Sequence, residues 1–138
     1  MIPIPPAIRD LASRILAVEG VRASAADAQV DVAVRVCCKL QTPLSRLAGP
    51  AGFASLSSRA LALARSEVPA LNVVQIQPDG SLAGFEEVQR DHDADVLEWG
   101  RLILVTQLLG LLATLIGESL TWRLVCQAWS DAAIEPLE

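Results

Sequence analysis

The chain has 138 residues, a formal net charge of −5, 52% apolar residues and only 4% aromatics. That length suits one domain able to bury about two-thirds of the surface its unfolded form exposes. With so few rings, Leu, Val, Ile and Ala must fill the core, and such packing suits helices. Two Phe, three Trp, no Tyr and a negative charge argue against nucleic acid as a partner, since bases need rings to stack on and phosphates need cations.

The charge is unevenly spread. From Met1 to Ser66 there are eight basic and four acidic residues, a surplus of +4, and from Glu67 to Glu138 three basic and twelve acidic, a surplus of −9. Either the two halves face each other within one fold, or they drive head-to-tail association with a copy or a partner. The start, Met1 to Pro6, lacks the basic and apolar stretches of a secretory signal. Three cysteines, two adjacent as Cys37-Cys38, make no disulfide framework and fit a reducing compartment, so the expected setting is a bacterial-type cytoplasm.

A first helix is expected from about Pro6 to Glu19, with Gly20 as its left-handed stop. Ile8, Leu11, Ala12, Ile15 and Val18 form its apolar stripe, and Asp10 and Arg14 pair on the wet side. The next segment supports two readings. Val30, Val32, Val34 and Val36 alternate with other residues as in a half-buried strand. Ser24 and Asp27 form a capping pair, and Asp27, Asp31, Arg35 and Lys39 then recur every four residues on one helical face. We favour a helix over 25–40, because the strand leaves the cap and the charge ladder unexplained.

Thr42-Pro43 is expected to break that helix, making 42–52 a hinge with Gly49-Pro50-Ala51-Gly52 as further breakers. A third helix over about 51–67 ends at Pro69 and places Phe53, Leu56, Ala60 and Leu63 on one side. Val73, Val74 and Ile76, then Pro78-Asp79-Gly80 and Ser81-Leu82, predict a short β-hairpin over 73–83. A brief helical turn over 84–89 precedes the acidic run from Asp91 to Asp95. From about Asp93 to Trp129 the pattern predicts one long apolar helix, capped by Asp93 or Asp95 with Glu98 completing the cap, and bent at Gly110 or Gly117.

Sixteen residues between Arg101 and Glu118 carry no charge, which is short of the roughly 20 that span a bilayer. They read better as the central helix of a bundle than as a membrane span. The fold class expected is therefore mainly α, a helical bundle around a long apolar C-terminal helix, in a single domain over 1–138 with a frayed tail at 131–138.

His92, Asp91, Asp93, Asp95 and Glu98 gather the only histidine with several carboxylates, so they are candidates for a divalent metal or an acid–base pair. Acidic residues at a helix N-terminus also offset its dipole, and that structural role is the simpler account. No cofactor is implied. Cys37, Cys38 and Cys126 lack a C-x-x-C or Cys/His spacing and read as small buried hydrophobes. Thr106, Gly110, Ala113, Gly117 and Thr121 form a stripe of small residues that can receive another helix of the same chain or of a second copy. The function expected is a non-enzymatic helical module for protein–protein interaction: an adaptor, a regulatory subunit or an immunity-like partner, binding a protein or a second copy. The alternatives are a metal-assisted or ligand-binding enzyme built on His92 and its acids, and peripheral membrane attachment.

Overall fold

The computed structural model describes residues 6–21, 31–77 and 82–129. Among them the chain forms α1 (Pro6–Val21), α2 (Val32–Glu67), a 3-10 turn (Pro69–Val73), β1 (Gln75–Ile76), β2 (Leu82–Ala83), α3 (Phe85–Asp91), α4 (Ala94–Ile116) and α5 (Glu118–Ala128). The fold is mainly α with a short hairpin, as the patterning predicts. β1 and β2 are antiparallel, with Gln75 opposite Ala83 and Ile76 opposite Leu82. Val73 belongs to the 3-10 turn rather than to a strand.

α1 buries Ile8, Leu11, Ala12 and Ile15 and carries the exposed Asp10–Arg14 pair at 3.0 Å. It runs through Gly20, which keeps a negative φ and is no left-handed stop. Over 32–40 the helical reading holds. Its cap is Asp31, whose Oδ1 accepts the Ala33 N–H at 2.8 Å; the expected capping pair at Ser24 and Asp27 lies outside the described residues.

The expected break at Thr42-Pro43 does not occur. α2 stays helical through Pro43 although the ring denies the Lys39 carbonyl its usual donor. Val36, Leu40 and Leu44 are fully buried at four-residue spacing on both sides of that proline, so the core holds the two segments in line. The chain turns instead at Gly49, with φ 80° and ψ 163°. Pro50 disfavours helical geometry at the residue before it and is well suited to start the next helix. The returning arm buries Phe53, Ser57, Ala60, Leu61 and Ala64, while Leu56 and Leu63 are half-buried. It ends at Glu67 ahead of Pro69, as expected.

α4 is the centre of the bundle, packed against α1, both arms of α2 and α5. At 23 residues and mean hydropathy 1.7 it is long and apolar enough to cross a membrane, and 56% of its most apolar window is buried within the fold. The long helix expected over 93–129 is two helices. Gly110 lies within α4, and the break is Gly117, at φ 90° and ψ 159°. Asp93 holds the cap position, but no carboxylate caps the helix through its side chain.

Contacts between helices set their directions. Arg101 grips Asp31 near the start of α2, Trp99 lies under Arg9 of α1 at 4.9 Å, Gln107 meets Glu67, and a Cβ on Gly100 would touch Leu71. Trp129, at the end of α5, reaches back to Glu19. With a rise of about 1.5 Å per residue, α1, the first arm of α2 and α4 run one way, and the second arm and α5 run back. The two glycine corners, Gly49 and Gly117, therefore share one end of the bundle. α3, the hairpin and the start of α4 lie at the other.

Candidate functional site

The acidic run does not assemble into a metal centre. Asp91, His92, Asp93, Asp95 and Glu98 are all exposed around the α3–α4 junction, and the described residues hold no group of three or more His, Cys, Asp or Glu placed to share an ion. The His92 N–H donates to the Val88 carbonyl and closes α3.

The stripe of small residues divides at the corner. Thr106 and Gly110 are buried and Ala113 half-buried on α4; Gly117 is the exposed corner itself, and Thr121 is buried on α5. Thr121 Oγ1 donates to the Gly117 carbonyl at 2.8 Å and ties the corner together. Cys37 is buried as expected, whereas Cys38 is exposed and Cys126 is half-buried. Cys38 thus departs from the buried-hydrophobe reading, since adjacent helix positions face different ways.

Sequence reasoning missed a buried polar cluster centred on Glu19. Its carboxylate accepts hydrogen bonds from Trp129 Nε1 at 2.8 Å and Arg35 Nε at 3.4 Å and is ion-paired with Lys39 Nζ, while Arg35 Nη2 donates to the Glu19 carbonyl at 2.8 Å. Burial raises the carboxyl's pKa, but the bonds from Lys39, Trp129 and Arg35 outweigh it, and the group titrates below its ordinary range. Lys39 also lies over the Trp129 ring at 5.7 Å. With two cations and an indole on its oxygens, Glu19 acts as a clamp joining α1, α2 and α5. A signal for it was present: position 19 lies one turn beyond Ile15 on the buried stripe of α1.

A second clamp joins Arg101 to Asp31 by hydrogen bonds of 2.7, 3.0 and 3.2 Å, a forked geometry only arginine supplies. The charge ladder Asp31, Arg35, Lys39 therefore binds neighbouring helices, with Asp31 and Arg35 partly buried and Lys39 reaching Glu19 from the exposed edge.

The surface left for other molecules is apolar and lies mainly at the glycine-corner end. Of the five large hydrophobic side chains exposed among the described residues, Leu115 (66%), Leu47 (58%) and Leu120 (47%) lie there, and Trp99 (44%) and Val73 (40%) lie at the opposite end. Ala48, Pro50 and Ala51 continue the apolar corner, Arg46 and Arg123 lie near it with one acid, Glu118, and Arg59 lies further down the returning arm of α2. None of these three arginines forms an ion pair among the described residues. Such a corner can bind through desolvation with cationic steering, and it holds no group arranged for bond making. Comparison with family models, with curated proteins and with solved structures finds no match to the chain.

Proposed function

We propose that this protein is a non-enzymatic helical interaction module whose contact face is the corner formed by Leu47, Leu115 and Leu120. The observation that carries this reading is the exposure of these three leucines at one end of a bundle whose other large apolar side chains, among the described residues, are buried or half-buried apart from Trp99 and Val73. Leaving them in water is unfavourable, by about 25 cal/mol for each Å² of apolar surface that a partner would cover. The buried and partly buried charged groups Glu19, Arg35, Asp31 and Arg101 are engaged in joining helices, which favours the surface as the working part.

The test compares wild type with a Leu115→Glu/Leu120→Glu variant, both immobilised and exposed to lysate of the encoding organism, with bound proteins quantified by mass spectrometry. We expect one protein, or further copies of the chain itself, to be retained stoichiometrically by wild type and lost by the variant at unchanged helicity. Equal retention by both would remove the corner as the contact face.

A further inference from the structure

We propose that the occupant of this corner is the acidic end of a second copy of the same chain, so that molecules associate head to tail; this rests on the corner being the contact face. Two complementary ends carry the argument. At the glycine-corner end, three exposed leucines are accompanied by exposed Arg46 and Arg123 against Glu118, with exposed Arg59 further down the returning arm of α2. At the other, exposed Val73 and Trp99, the latter with Arg9 over its ring, share an end with Glu86, Glu87, Asp91, Asp93, Asp95 and Glu98 against Arg9, Arg65 and Arg90. Each end thus offers an apolar centre with a charged rim, and the rims are opposite in sign, the arrangement that steers two surfaces into register.

Among the described residues the one ion pair between the two halves of the chain is Asp31 with Arg101. It joins an acid of the basic half to a base of the acidic half, and so neutralises neither the corner arginines nor the exposed acids of α3 and α4. Because one copy cannot bring its two ends together, a second copy is the nearest molecule with the matching surface. A contact between unlike ends is heterologous, and it closes into a ring or continues as a filament.

The test uses the full chain and measures mass in solution by light scattering over a range of concentration and salt. Wild type is expected to exceed monomer mass at low salt and to dissociate as salt rises, since a charged rim is screened. Two variants then separate the ends: Leu115→Glu/Leu120→Glu disables the corner, and Asp95→Lys/Glu98→Lys disables the acidic end. Each alone is expected to be monomeric with wild-type circular dichroism, and their mixture is expected to give a 1:1 dimer through the one intact corner and the one intact acidic end.

Dimers formed by the Asp95→Lys/Glu98→Lys variant alone would overturn the inference in favour of a symmetric corner-to-corner contact. Monomeric wild type at every concentration would overturn it as well, while loss of a captured protein by the corner variant would leave the interaction reading standing. Binding of monomeric wild type to phosphatidylglycerol vesicles, abolished by Leu115→Glu/Leu120→Glu, would overturn it in favour of a lipid surface.

Discussion

Glu19 sits where an isolated carboxylate would be costly, on the buried face of α1, and it is held there by Lys39, Trp129 and Arg35. Its folded pKa lies below the ordinary value of 4.5. The stability it contributes is therefore present above that pH and is lost as pH falls through the lower folded value. We expect Glu19→Gln to cost about 3 kcal/mol at neutral pH, since it removes one partner from a buried ionic cluster. Urea unfolding of both proteins should show that difference shrinking as the solution is acidified below pH 4.5, and a gap independent of pH would show that the carboxylate's charge does not matter. The cysteines separate in the same local way. Burial, with Cys38 and Asp31 adding to it, pushes the Cys37 thiol up to about 12, whereas Cys38 is exposed. A thiolate-selective alkylating reagent is expected to modify Cys38 in the native protein and Cys37 only after denaturation, and rapid native labelling of Cys37, read by peptide mass spectrometry, would contradict its burial. The face on which Glu19 lies was legible from the i, i+4 stripe. Its partner Trp129, 110 positions away, was not, because periodicity reports which face is buried and is silent on what lies opposite.

At the scale of elements, helix existence and type were legible and helix ends were less so. Apolar periodicity located α1, α4 and both arms of α2, because burial of one stripe is what stabilises each. The breaks were harder, since a breaker acts only where packing allows. Pro43 is bridged by buried Leu40 and Leu44, and Gly20 is simply helical, whereas Gly49 and Gly117 take extended conformations at positive φ that only glycine readily adopts. This predicts opposite outcomes for the same substitution. Gly117→Ala should destabilise the protein by about 1–3 kcal/mol through backbone strain alone, since a Cβ there meets nothing within 4 Å. Gly20→Ala, also in open space, should stabilise it by about 0.5–1 kcal/mol through helix propensity. Thermal melts of the two variants should shift in opposite directions; a shift of the same sign in both would mean that one of these backbone conformations is misassigned.

The whole molecule is held by links between segments far apart in sequence. Glu19 of α1 ties to the first arm of α2 and to Trp129 of α5, Asp31 ties to Arg101 of α4, and Arg65 donates to the carbonyls of Leu71 and Val74, bracing the turn that leads into the hairpin. The sequence shows that the halves are oppositely charged, but only the antiparallel return of the second arm of α2 and of α5 places exposed Arg46 and Arg123 at one end and the exposed acids of α3 and the start of α4 at the other. These links imply that no helix can leave without exposing the core shared by the others. Trp129 is fully buried and Trp122 nearly so, in the α5 segment, while Trp99 is exposed near the start of α4, so tryptophan fluorescence mainly reports the docking of α5 and far-UV circular dichroism reports all helices. The two signals are expected to follow one urea transition with the same midpoint and slope, as in a single cooperative domain. Trp129→Phe removes the indole donor from buried Glu19 and should lower that midpoint by an amount equivalent to about 1–3 kcal/mol, with both signals still moving together. A fluorescence change that precedes the loss of helicity would instead show that α5 undocks as a separate unit, and that the Glu19 clamp fastens an appendage rather than joining the whole bundle.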